Sequence, residues 1–149
     1  MFLDNEIQYL KDNGAGDNSH SSRCLLDHLT GTAALLSKWN CDKDVVLAGL
    51  YHSVYGTDSY HTQTLDDSKR GEVREIIGER AEHLAWEFGK TKNPRVLSFM
   101  KYNQTDLIIL ECANLIEQKV DPSQLSFALA IKDLPDLLID DVKKYLNTY

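Results

Sequence analysis

Val45-Val46-Leu47-Ala48-Gly49-Leu50-Tyr51 is apolar all the way around a helix, and no other feature constrains the chain as much. A helix without a polar face has to be wrapped on every side by other elements. A buried strand gives the same run of residues. Asp42 as an N-cap, helical patterns on both sides and a length beyond a typical strand select a helix over about Lys43 to Tyr55.

The rest of the chain reads as the surround such a helix needs. Periodicity predicts helices over about Leu3 to Asp12, Ser22 to Trp39, Ser68 to Ile77, Glu79 to Phe88, Thr105 to Gln118, Ser123 to Ile131 and Asp136 to Leu146. Ser21 or Ser22 is the expected cap of the second helix, Gly14 and Gly78 are expected breaks, and Asp121-Pro122 is a cap followed by proline at the first helical position. Gly56 to Asp67 reads as a polar loop, and Asn93-Pro94 as the start of a linking stretch to Tyr102. No segment alternates as a strand for long enough to matter. The expectation is one all-α domain over residues 1–149, a bundle of about seven to eight helices.

Several function classes drop out on composition. The formal charge is -7 with no concentrated basic face, which argues against nucleic acid as a partner. No apolar run approaches a membrane span, and the acidic, amphipathic start MFLDNEIQYLKDN is neither a signal nor a transit segment, so the expected address is cytoplasmic. Cys24, Cys41 and Cys112 are odd in number and form no CxxC, so neither a disulfide framework nor a zinc knuckle is expected. Cys24 and Cys112 read as small core residues.

Chemistry starts with the histidines. His52 lies on the stripe Val45, Ala48, His52, Tyr55 of the buried helix, and His28 on the stripe His28, Thr32, Leu35, Trp39 of the helix before it. A buried imidazole needs partners for both nitrogens. Backbone carbonyls and hydroxyls satisfy that need in the plain reading. Two imidazoles on neighbouring inner helices can instead point into one cleft, and histidine is the commonest protein metal ligand.

The run Val45 to Thr57 resembles the HD motif of alarmone (ppGpp) hydrolases, in which an apolar helix ends in His-Asp and an acidic turn. His28, 24 positions before His52, is similar in spacing to that family's first histidine ligand. Glu72 to Leu84 resembles the two short helices after the motif, and Leu110-Glu111-Cys112-Ala113-Asn114-Leu115 the helix that delivers the last aspartate. The likeness covers roughly residues 19 to 118. It implies a helical HD-like fold, metal ligands at His28 and His52, and hydrolysis of a phosphorylated or nucleotide-like small molecule. Ser53 stands where the motif has aspartate, Asn114 where it has the distal aspartate, and Gly56-Thr57 where alarmone hydrolases carry an acidic pair.

A rebuilt site would draw on His20 and His61, in loops at the ends of the two helices, as further ligands of one divalent Zn, Mn or Fe ion. Glu111 or Asp58 is the candidate general base, and Ser53 a candidate nucleophile, although its side chain diverges from that of adjacent His52. Arg23, Tyr55 and Asn114 are the candidate contacts to a small polar or anionic molecule. The readings that follow are a metal-dependent hydrolase, a degenerate, non-catalytic HD fold that binds a small ligand or protein partner, a metal-independent tailoring enzyme with a histidine base, and a helical adaptor.

Overall fold

The apolar run does become the central helix. A computed structural model describes residues 3–16, 19–20, 23–57 and 63–148, the side chains of residues 19, 20, 23 and 148 excepted. Helix α3 (Lys43–Tyr51) begins where Asp42 Oδ1 accepts the Val45 amide at 3.1 Å, and every residue from Val45 to Tyr51 is buried. It ends four residues earlier than the sequence suggests. His52 to Tyr55 form turns, and Gly56 takes φ 82°, a backbone open mainly to glycine.

Helices α2 (Leu25–Lys38), α5 (Glu79–Lys90) and α7 (Thr105–Gln118) pack around α3. Two glycines allow this closeness. A Cβ on Gly49 would stand 3.5 Å from both Leu110 Cδ1 and Thr32 Cγ2 and nearer still to Leu36, and one on Gly89 would stand 2.7 Å from the Gly56 carbonyl oxygen. Backbone cannot yield as a side chain end can, so Gly89 fixes α5 hard against the turn that carries His52. Helix α1 (Asp4–Asp12) is tied to α3 where Tyr51 Oη donates to the Glu6 carbonyl at 2.7 Å.

The second helix starts later than expected. Ser19–His20 (β1) and Arg23–Cys24 (β2) form a short antiparallel ladder, and Cys24, not Ser21 or Ser22, occupies the N-cap position; those two serines lie outside the described residues. Helix α4 (Arg70–Ile77) follows a 3-10 turn, and Gly78 at φ 94° separates it from α5 as the sequence suggests. Arg70 grips buried Glu82 through Nε at 2.8 Å and Nη2 at 2.9 Å, and its guanidinium lies 3.9 Å from the Trp86 ring centre.

Residues expected to link are instead helix α6 (Arg95–Lys101). Its anchors, Arg95 and Phe99, are one turn apart and both buried, with Phe99 packed on Phe88 at 6.0 Å between ring centres. An alternation of Val96-Leu97 and Phe99-Met100 around Ser98 hides that pairing in the sequence. The stretch from Pro122 to Ala130 is a 3-10 run rather than the expected α-helix. Its buried residues Leu125 and Ala128 are three apart, which matches the 3-10 repeat. Helix α8 (Asp136–Thr148) closes over this run and α7, and Asp141 accepts from Trp39 Nε1 and Lys38 Nζ, each at 2.8 Å. The fold is all-α, with eight α-helices among the described residues, none of them long and apolar enough to cross a membrane.

Candidate functional site

Three of the innermost helices each carry one polar side chain to the same point. His28 comes from the second turn of α2, His52 from the residue after α3, and Asn114 from the buried face of α7. His28 Nε2 and His52 Nε2 are 3.2 Å apart, and Asn114 Oδ1 lies 3.0 Å from the first and 3.1 Å from the second. These three atoms form a nearly equilateral triangle.

The far side of each group decides what the triangle offers. His52 Nδ1 faces the Gly49 carbonyl oxygen at 2.6 Å, which can only accept, so Nδ1 carries the proton and Nε2 a lone pair. Burial, and then the adjacent His28, push the His52 pKa down to about 3, so this ring is neutral at physiological pH. His28 Nδ1 faces Glu117 Oε1 at 3.0 Å and donates to it; in a neutral ring Nε2 would then turn a second lone pair inward. The amide of Asn114 is oriented from both sides: its Nδ2 donates to Glu111 Oε1 at 2.9 Å, and its Oδ1 accepts from Gln118 Nε2 at 3.0 Å. With neutral rings, three acceptors converge and no proton lies between them.

Above the triangle is a cavity of about 800 Å³, within the usual range for small-molecule sites. Its polar lining includes His28, His52, Ser53, Arg95, Glu111 and Asn114, and its apolar lining includes Leu25, Pro94, Val96, Leu115 and Phe127. Arg95 Nη1 holds both oxygens of Glu111 at 3.1 Å, a pair almost closed to solvent. Burial pushes the Glu111 carboxyl up from its ordinary pKa, opposed by Arg95 and Asn114. Ser53 Oγ and Arg95 Nε are buried without a hydrogen-bond partner among the described residues.

The candidates from the sequence separate clearly. His28, His52, Ser53, Asn114 and Glu111 meet at the cavity. Glu111 sits there as the partner of Arg95 and the orienter of Asn114, with both oxygens engaged rather than free to take a proton from water. Tyr55 stands apart from the cavity: it lies beyond the end of α3, and its hydroxyl donates to Glu82 at 2.8 Å in the α4–α5 corner. Asp58 and His61 lie outside the described residues, as do the side chains of His20 and Arg23, whose backbone belongs to the β-ladder. Cys24 is half-buried at the cavity wall instead of in the core, and Cys112 is fully buried, its thiol pushed up to about 12 by burial.

Sequence reasoning missed Glu117, Gln118 and Arg95. The first two continue a polar stripe, Glu111, Asn114 and Gln118, along a helix that is otherwise apolar, with Glu117 one position off it. That stripe was a readable signal. Arg95 was hidden because its helix was not foreseen.

A family model described as a domain of unknown function, DUF6817, matches residues 9–92, more than half of the chain. The chain belongs to the DUF6817 family. The DUF6817 segment contains His28, His52 and Ser53 but stops before Arg95, Glu111, Asn114 and Glu117, so the triangle joins two residues of the matched segment to one beyond it. No curated protein and no solved structure matches this DUF6817 chain.

The residues of the triangle suit a transition-metal ion. Metal–ligand bonds of about 2.1 Å place neighbouring ligand atoms roughly 3.0 to 3.4 Å apart in octahedral or tetrahedral sites, and the edges here are 3.0, 3.1 and 3.2 Å. Ligating histidines nearly always donate their other ring N–H to a carboxylate or a backbone carbonyl, as His28 does to Glu117 and His52 to Gly49. Among the described residues no three His, Cys, Asp or Glu side chains form a group that could hold a metal, and here the third ligand atom would be the Asn114 amide oxygen. Neutral ligand sets do serve zinc, and a three-ligand face leaves positions open for a fourth group.

Proposed function

We propose that this protein is a divergent HD-like domain that binds a small polar or anionic molecule at one divalent metal ion held by His28, His52 and Asn114. The observation that carries this reading is the convergence of His28 Nε2, His52 Nε2 and Asn114 Oδ1 within 3.2 Å of one another, the far side of each group held by a separate partner. Three acceptors at hydrogen-bond separation repel one another unless a cation or a proton lies between them. A bound metal would supply Lewis acidity toward an oxygen of the ligand.

Binding is favoured over hydrolysis. The HD-type reaction asks for a carboxylate that can accept a proton from water. Of the carboxylates described at the cavity, Glu111 is held by Arg95 and Glu117 by His28. Gly56 and Thr57 replace the acidic pair, and neither can act as a base.

A second reading rests on Glu117. A proton on His28 Nε2, balanced by the Glu117 carboxylate, would bridge the triangle without metal. The two readings separate on metal content of protein purified without a histidine tag. About one equivalent of zinc, iron or manganese, lost when His28 and His52 are both replaced by alanine, supports the metal centre. Protein that stays metal-free after incubation with each ion, while its fold remains intact, supports the protonated pair instead.

A further inference from the structure

Asn114 is the one corner of the triangle with two chemically different ends, an acceptor oxygen and a donor nitrogen. Turning its amide over would exchange them in almost the same space. Beside neutral rings the turned amide suits the metal-free protein better, because Nδ2 would then donate to lone pairs on His28 and His52. Instead Oδ1 faces them, at 3.0 and 3.1 Å. A group outside the triangle has to hold the oxygen inward.

Of the two partners of the amide, only one is chemically one-sided. Gln118 Nε2 donates to Oδ1 at 3.0 Å, but Gln118 is exposed and is itself an amide, so it can turn over and follow Asn114 either way. Glu111 cannot. A carboxylate only accepts, and its Oε1 takes the Nδ2 proton at 2.9 Å. Arg95 Nη1 donates to both Glu111 oxygens at 3.1 Å, and the two residues are only 4% and 5% exposed, which keeps water from competing for either. A reversed amide would set Oδ1 against the carboxylate, acceptor against acceptor in a buried place.

We infer that Arg95 and Glu111 are positioning residues that lock the Asn114 amide with its oxygen toward the two histidines and thereby set the metal affinity of the site. This rests on the metal reading and goes beyond it by naming what makes an acceptor of the third corner.

The test exploits the symmetry of a carboxylate, which offers oxygen whichever way it turns. In Glu111→Gln, Arg95 claims the single remaining oxygen, the new amino group faces Asn114 Nδ2, and the Asn114 amide reverses. Zinc affinity of the full chain is measured by competition with a chromogenic chelator, for Glu111→Gln alone and combined with Asn114→Asp. Glu111→Gln leaves Arg95 without its counter-charge, so Arg95→Met with Glu111→Leu, which removes the pair together, is run beside it in both backgrounds. Thermal melts confirm that each variant folds. Affinity is expected to fall at least about tenfold when Asn114 is present, and by no more than about twofold in the Asn114→Asp background. Equal losses in the two backgrounds would mean that the pair only supports the fold, and would overturn the proposal. So would undiminished affinity with Asn114 in place. Failure of both the wild type and Asn114→Asp to bind zinc removes the metal reading and this one together; zinc bound by both without the dependence on background removes this one alone.

Discussion

Gly31 of α2 leaves space for the carboxylate of Glu117 on α7: a Cβ at residue 31 would stand 2.8 Å from Glu117 Cδ and 3.1 Å from Cγ. The side chain that holds His28 in its tautomer therefore depends on the absence of a methyl group on the same helix, one turn after His28.

Gly31→Ala makes this dependence measurable. In mid-helix, alanine raises helix stability by up to about 1 kcal/mol, and the long Glu117 side chain can swing aside without unfolding the protein. The expected outcome is an unchanged or raised melting temperature with zinc affinity reduced roughly 10- to 100-fold, the cost of removing the partner of a ligating histidine. Isothermal titration with zinc beside thermal melts checks both halves. Unchanged affinity would show that Glu117 does not tune His28.

Asn114→Asp restores an anionic oxygen at the third corner of the triangle. Gln118 Nε2 can still donate to it, while the carboxylate of Glu111, which now accepts from Asn114 Nδ2, loses that donor. Divalent metal affinity is expected to rise at least about tenfold, because an anionic ligand balances cation charge. Asn114→Leu, which offers no oxygen, is expected to abolish tight binding. Competition against a chromogenic chelator reads both variants on one scale.

His52 makes the metal-free protein sensitive to acid. The unfolded residue takes up a proton as pH falls through about 6.5, whereas the folded one does so only near 3. Between those values the unfolded state binds more protons, so folding stability declines as pH drops, by up to about 1.4 kcal/mol per unit. Above about 6.5 the contribution is flat. Urea melts of wild type and His52→Gln at pH 7, 6 and 5 give the difference; parallel curves would remove His52 from the account.

Cys112 is expected to resist alkylation in the folded protein, since burial both hides the thiol and raises its pKa to about 12. Cys41, half-buried with its pKa raised to about 11 by burial and then by Asp42 and Asp106, should react slowly. Mass spectrometry after iodoacetamide at pH 8, native against urea-unfolded, resolves the sites. Rapid native labelling of Cys112 would mean that α7 opens readily.

Local pattern was enough for the all-α class, for the buried central helix and its Asp42 cap, for the break at Gly78 and for His28 and His52 on the stripes of successive inner helices, because periodicity and capping act over three or four residues. What periodicity cannot carry is which helices touch. Arg95 meeting Glu111, Glu117 meeting His28 and Tyr55 turning away to Glu82 are pairings across 16, 89 and 27 positions. They were settled by packing of α6, α7 and α5 against a common core. The sequence named His28, His52, Ser53, Glu111 and Asn114 but not Arg95 or Glu117; only the tertiary structure assigned partners to all of them, since a buried lone pair takes its meaning from the atom it faces.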